Sequence, residues 1–133
     1  MPMILSISRE VHGDDAVAWA EPQSALKDVI IAMTQRPFGT ACVIDENRRL
    51  VGLITDGDLR RTLLSHEDIR PLCAVDIMTR RPVTISQIAS FNDAARTMED
   101  RPSQLSVLPV LEDHDGRCLG LVRIHDIYRS EFG

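Results

Sequence analysis

Apolar residues recur along the chain in two kinds of pattern. Leu26, Val29, Ile30 and Met33 stand at i, i+3, i+4 and i+7, the stripe of a helix lying on a core, and Phe91, Ala94, Ala95 and Met98 repeat that spacing. Between these stripes come apolar runs of strand length. Thr40 to Ile44 and Leu50 to Ile54 flank the polar Asp45-Glu46-Asn47-Arg48-Arg49, and Leu105 to Leu111 and Cys118 to Val122 flank Asp113-His114-Asp115-Gly116. Val17 to Trp19 and Val83 to Ile85 read as lead strands ahead of the two helices. Ser24 is the expected N-cap of the first helix, with Pro37 and Gly39 as its stop. Pro109 inside a strand predicts an edge position or a bulge, and the Asp115-Gly116 step a tight turn. The predicted order is strand, helix, strand, strand, helix, twice over: an α/β (α+β) fold of two β-α-β-β-α units.

The stretch with most chemistry is Gly52-Leu53-Ile54-Thr55-Asp56-Gly57-Asp58-Leu59-Arg60-Arg61. Its strand runs into a helix with almost no loop. Thr55 is a favoured N-cap, and Asp58 stands three residues on, where a capping carboxylate belongs. Leu59 and Leu63 are the expected inner face of the helix. Such a junction aims unpaired N–H groups and the positive end of the helix dipole at one spot, which attracts anions such as phosphate. The oxygens of Thr55 and Asp58 are candidate acceptors for a sugar's hydroxyls. Capping the helix is the simpler role, and it does not exclude binding.

Sixty-eight positions on, Gly120-Leu121-Val122-Arg123-Ile124-His125-Asp126-Ile127-Tyr128-Arg129 repeats the pattern, with Gly120, Asp126 and Arg129 matching Gly52, Asp58 and Arg61. Earlier in each unit Asp28, Met33 and Arg36-Pro37 match Asp93, Met98 and Arg101-Pro102. The expected organisation is a leader over 1–15 outside the core, one copy over 16–66, a connection over 67–81 with a short helix carrying Val75, Ile77 and Met78, and a second copy over 82–133. Copies of this size are too small to be stable apart, so a shared core is expected.

Composition narrows the partners. With 44% apolar and 26% charged residues the chain is ordinary for a globular protein, and a net charge of −5 argues against a general nucleic-acid or anionic-membrane surface. Three cysteines without C-x-x-C spacing predict reduced thiols in a cytoplasmic setting, Cys42 and Cys118 as buried, inert ones. The Met1–Ile7 run is too short for a signal peptide, and no apolar stretch approaches membrane-spanning length. His12, His66, His114 and His125 show no zinc-type spacing with the cysteines, and there is no Walker-type loop. Asp56 and Asp58 imitate a catalytic acid pair, but a helix N-terminus stabilises their ionised forms and makes either a poor general acid.

The repeated unit, its Gly-x-x-Thr-x-x-Asp junction and Val75-x-Asp-Ile-Met-Thr79 ahead of the second copy resemble a tandem cystathionine-β-synthase (CBS) domain pair over nearly the whole chain. More narrowly, Thr55-Asp56-Gly57-Asp58-Leu59-Arg60-Arg61, His12-Gly13-Asp14 and His125-Asp126-Ile127-Tyr128-Arg129 resemble the C-terminal regulatory part of bacterial arabinose-5-phosphate isomerases. The resemblance implies two copies packed with pseudo-twofold symmetry and clefts that take adenosine nucleotides or similar ligands. It also implies an Asp on ribose hydroxyls and a Thr near phosphate. Carried onto this chain, that nominates Thr55 and Asp58 at the first site and Asp126 at the second; Asp56 beside the first pair, and Arg123 and His125 at the second junction, complete the candidate ligand-binding residues.

Two departures qualify the carry-over. The Ser-His-Pro-Gly-Gly stretch of the isomerase domain is absent, so isomerase activity is not expected of this chain. Arg123 replaces the junction Thr, and arginine cannot accept from helix N–H groups. It either offers a cationic fork to a phosphate or carboxylate or pairs with a surface acid. His125 is either a pH-sensitive ligand contact or structural. The expected function is regulatory: a nucleotide or sugar nucleotide, adenosine- or cytidine-based, controls an attached or partner sugar-isomerase domain without a required cofactor or metal. The alternative is a ligand-free scaffold, a homodimer formed through the paired helices.

Overall fold

The computed structural model describes residues 7–99 and 107–123. Arg101-Pro102, the start of the strand expected from Leu105, the side chain of Met98 and the closing helix with His125 and Asp126 lie outside the described residues. Two compact units make up the fold: one is Gly13–Pro82, and the other joins the leading segment through His12 to the chain from Val83 onward.

In the Gly13–Pro82 unit, β1 (Ala18–Ala20) pairs in parallel with β2 (Ala41–Ile44) across the helix α1 (Leu26–Thr34), and β2 turns back antiparallel into β3 (Leu50–Ile54). Leu26, Val29 and Met33 of α1 are buried against Ala18, Ala20, Ala41, Val43 and Ile54, so the helical stripe and the strand runs meet in one core. The hairpin is closed by Asp45, whose Oδ1 accepts from the N–H groups of Asn47 at 2.8 Å and Arg49 at 2.9 Å.

After α2 (Asp56–Ser65) come a single turn, α3 (Ala74–Ile77), and a two-residue strand, β4 (Thr79–Arg80), antiparallel to β3. The sheet order is β1-β2-β3-β4. The connection is thus part of this unit: Ala74 is fully buried in its core and β4 is its fourth strand.

Two expectations fail in this unit. The N-cap of α1 is Ala25, not Ser24: the Ser24 hydroxyl accepts from the Glu21 N–H at 2.9 Å, and the Leu26 N–H donates to the Leu72 carbonyl at 2.9 Å. A distant backbone carbonyl satisfies the donor that a local side chain was expected to satisfy. The helix ends at Thr34, three residues ahead of Pro37, as that stop predicts. In α2, Leu63 is 61% exposed, and the inward residues are Asp58, Leu59 and Thr62. Asp58 reaches back to Thr55, which sets the rotation of the helix. Thr62, four residues on, shares its face, whereas Leu63 is turned about 140° away.

The second unit holds β5 (Ile85–Ser86), α4 (Phe91–Glu99), β6 (Val107–Leu111) and β7 (Cys118–Arg123), with β5 parallel and β7 antiparallel to β6. Its core gathers Ile85, Phe91, Ala94, Leu108, Val110 and Val122 around Ile7. Ile7 is fully buried, its N–H donates to the Ala89 carbonyl at 2.9 Å, and His12 exchanges backbone bonds of 2.8 and 3.0 Å with Leu121. The leading segment, expected outside the core, therefore supplies part of it. Val83 lies before the strand, which starts at Ile85.

Pro109 sits in the central strand β6, not at a sheet edge, and the irregularity that was its other expectation follows it, a register shift between Val110 and Leu111. Its partner Leu121 turns both backbone groups to His12, so Pro109 and Leu121 form a pair without mutual hydrogen bonds. The missing N–H therefore faces the β5 side, where pairing involves only Val110 and Leu111. The position is locally unpaired, and proline costs no ladder bond. The β6–β7 turn closes through Gly116 at φ +75°, a backbone that favours glycine.

Candidate functional site

The strand-to-helix junction after β3 forms as its sequence predicts. Thr55 is extended at φ −112°, and α2 starts at Asp56 with a reciprocal capping box. The Thr55 hydroxyl accepts from the Asp58 N–H at 3.4 Å, while Asp58 Oδ2 accepts from the Thr55 N–H at 2.9 Å and from the Thr55 hydroxyl at 3.2 Å.

The other oxygen of Asp58 is occupied as well. Oδ1 accepts from the hydroxyl of Thr79 at 3.0 Å and from the guanidinium of Arg61. Asp58 is only 4% exposed, whereas the Arg61 side chain is 71% exposed. A carboxylate has about four acceptor positions, and all four are used here. The charge is buried with a cationic partner and the helix N-terminus beside it, which removes the cost of an unpaired buried anion.

Asp56 is exposed on the first turn and stands beside Gly39, a Cβ on which would lie 3.5 Å from its Oδ2. Gly57 follows, and a Cβ there would lie 3.6 Å from Arg61 Nη1. The first N–H groups of any α-helix lack intrahelical acceptors. The turn thus presents backbone donors, a bare glycine and an exposed guanidinium together, a set suited to an anion.

The structure brings together Thr55, Asp56 and Asp58 of the nominated residues. Arg123 ends β7, half-buried and paired with Val107 in the other unit, while His125 and Asp126 lie outside the described residues. Sequence reasoning missed Thr79 as a partner of Asp58, although it closes the Val75-x-Asp-Ile-Met-Thr79 motif. In that motif Asp76 accepts from the Cys73 N–H at 2.7 Å to cap α3, and Met78 lies across Gly52. A Cβ on Gly52 would fall 2.6 Å from Met78 Cγ, so only glycine lets the two motifs touch.

Two shallow cavities of about 340 and 220 Å³ flank Glu21 and Ile44 in the same unit. None of the nominated residues lines them. They lie at the other end of the sheet, since the junction is beside Ala41 and Ile44 ends the same strand. Trp19, which lines the smaller one, has its Nε1 buried without an acceptor and its ring under the Arg48 guanidinium at 4.7 Å. Among the described residues no cluster of His, Cys, Asp and Glu could hold a metal ion, and no helix is long and apolar enough to cross a membrane.

The family model for the CBS domain matches residues 9–65 and 74–133. The chain belongs to the CBS domain family. The CBS pair is similar to the arabinose 5-phosphate isomerase KdsD of Yersinia pestis, 28% identical over 128 residues, which are 96% of this chain and 38% of that protein. The chain thus spans well under half the length of this curated relative. Among solved structures the CBS pair resembles CBSX2 of Arabidopsis thaliana, solved in complex with AMP, at a TM-score of 0.76 and 23% identity over 95% of both chains. It also resembles the CBS domain pair of MJ0100, solved with 5-methylthioadenosine and S-adenosyl-L-methionine, at a TM-score of 0.74 and 22% identity over 97% of both. These likenesses establish the fold of tandem CBS repeats.

Proposed function

We propose that this CBS pair is a regulatory module that binds a nucleotide or sugar nucleotide at the Thr55–Asp58 junction and controls a sugar-phosphate isomerase-type catalytic domain or partner. The observation that carries the reading is the buried Asp58 carboxylate, held at a helix N-terminus with the exposed Arg61 guanidinium on one of its oxygens. A ribose hydroxyl takes a place on Asp58 Oδ1, the helix N–H groups beside Asp56 and Gly57 take the phosphate, and Arg61 turns from the carboxylate to the phosphate. The adenosine ligands of CBSX2 and MJ0100 support the ligand class, and the longer KdsD relatives support an isomerase as the controlled partner. Arg123, His125 and Asp126 form the corresponding second site, with a cationic fork where the first copy has a cap. The module itself catalyses nothing and works in the cytoplasm.

A thermal-shift panel of AMP, S-adenosylmethionine, CMP and a CMP-sugar tests this. A ligand at a hundred times its dissociation constant adds about 2.7 kcal/mol, a rise of several degrees in melting temperature. Asp58→Asn abolishes the shift if the first copy binds, and Asp126→Ala if the second does. A folded protein that answers to none of the four refutes the reading.

A second reading has its own observation. Leu63 and Leu64 on α2 and Ile31 on α1 are 61%, 83% and 45% exposed, an apolar helix surface that supports a homodimer of this chain through its helices.

A further inference from the structure

We propose that Thr79 is a positioning residue that couples the first-copy ligand site to the connection: a ligand hydroxyl on Asp58 Oδ1 displaces the Thr79 hydroxyl and loosens β4 from β3. This inference rests on Asp58 being the ligand's anchor, as proposed above.

The two oxygens of Asp58 are not equivalent. Oδ2 is held by the N–H and hydroxyl of Thr55, and losing those bonds undoes the cap on which α2 starts. Oδ1 is held by donors from elsewhere: Arg61, on the same helix, and Thr79, twenty-one residues further along the chain. An incoming hydroxyl therefore competes at Oδ1. Arg61 is a long, exposed side chain and can move to a ligand phosphate without disturbing the backbone. Thr79 cannot follow in that way. Its hydroxyl sits on a short stem, and its backbone is held in register opposite Leu53.

The strand that carries Thr79 is short and follows directly on Met78, which is packed over Gly52. β4 has two residues, both exposed, paired only as Gly52 with Arg80 and Leu53 with Thr79. Arg81 follows at φ +52°, a left-handed backbone that a non-glycine residue adopts only at a cost. Within Thr79 and Arg80 themselves, the bond to the buried carboxylate adds to only two strand pairs, while Met78 holds the chain just ahead of them. Breaking that bond frees the chain that leads from the first copy toward the second. A bond that the ligand must break lowers its affinity, and by linkage the ligand loosens the bond by the same factor.

The test uses the full chain with Thr79→Val, which removes the hydroxyl at nearly constant shape, and Thr79→Ser, which keeps it. Each protein is titrated calorimetrically with AMP, CMP, S-adenosylmethionine and the CMP-sugar in parallel, and hydrogen exchange is followed for the amides of Thr79 to Arg81. With the one of these four that binds the unmodified chain, Thr79→Val is expected to bind about ten- to a hundredfold tighter, the worth of one bond to a charged group, and Thr79→Ser to match the unmodified chain. Binding should speed exchange at Thr79 to Arg81 in the unmodified chain and in Thr79→Ser, but not in Thr79→Val, where it is already fast. Equal or weaker binding by Thr79→Val, or exchange unaltered by that ligand in the unmodified chain, overturns the coupling and leaves the site standing. Failure of the unmodified chain to bind any of AMP, CMP, S-adenosylmethionine and the CMP-sugar overturns the coupling together with the site.

Discussion

At Gly52 the missing side chain is what matters, because the Met78 side chain fills the space where a Cβ would stand. Gly52→Ala is expected to lower stability by about 1–3 kcal/mol in urea denaturation, the usual cost of overpacking. Gly52→Ala with Met78→Ala should then lose less than the sum of the two single changes, because the clash goes with the methionine. Asp68 shows a purely local effect. Its two oxygens accept from Nε and Nη2 of Arg70, both at 2.9 Å, and that side chain first, then the Arg70 N–H, hold its carboxyl below the ordinary 3.8. The folded-state value is depressed, so the small contribution of this exposed pair is present above the unfolded pKa and fades as pH falls through the folded one. Carboxyl NMR titration should find Asp68 titrating below 3.8 and rising toward it in Arg70→Ala.

Single elements show which signals survive folding and which do not. Leu50–Ile54 and the start of α2 came out as read, because a strand-length apolar run and a reciprocal Thr–Asp cap are complete within a few residues. Of the expected inner face of α2, Leu59 packs on the core and Leu63 does not. Apolar spacing pointed to Leu63, but the cap turns Asp58 and Thr62 inward, and the Thr62 hydroxyl donates to the Asp58 carbonyl at 2.8 Å. Leu63→Ser should accordingly change the stability of the dilute protein by less than about 0.5 kcal/mol. If the helices carry the dimer, the same variant should weaken self-association in sedimentation. Ser24, and the edge position offered for Pro109, were misread for a related reason. The acceptor for α1 comes from Leu72 and the partner of Leu121 from His12, both far away in sequence. At the candidate site, Thr55 and Asp58 were legible, whereas the bond from Thr79 to Asp58 was not, since it depends on β4 pairing with β3.

At the scale of the whole molecule, neither the leading segment nor the connection keeps its expected role as a spacer outside the units. The connection completes the Gly13–Pro82 unit, and Ile7 completes the core of the other. Ile7→Ala should therefore cost about 2–5 kcal/mol, as a large-to-small change in a filled core does, and an N-terminal truncation through His12 should cost at least as much by thermal denaturation. Little effect from either would show that the second unit does not depend on the segment. Sequence alone determined the duplication, the order of strands and helices among the described residues apart from β4, and the Thr–Asp cap, because periodicity and capping act over one or two turns of chain. Only the tertiary structure decided which segment fills which core, which face of α2 turns inward and which donors reach the second oxygen of Asp58. Those choices depend on burial and hydrogen bonds between residues tens of positions apart, and no local pattern records them.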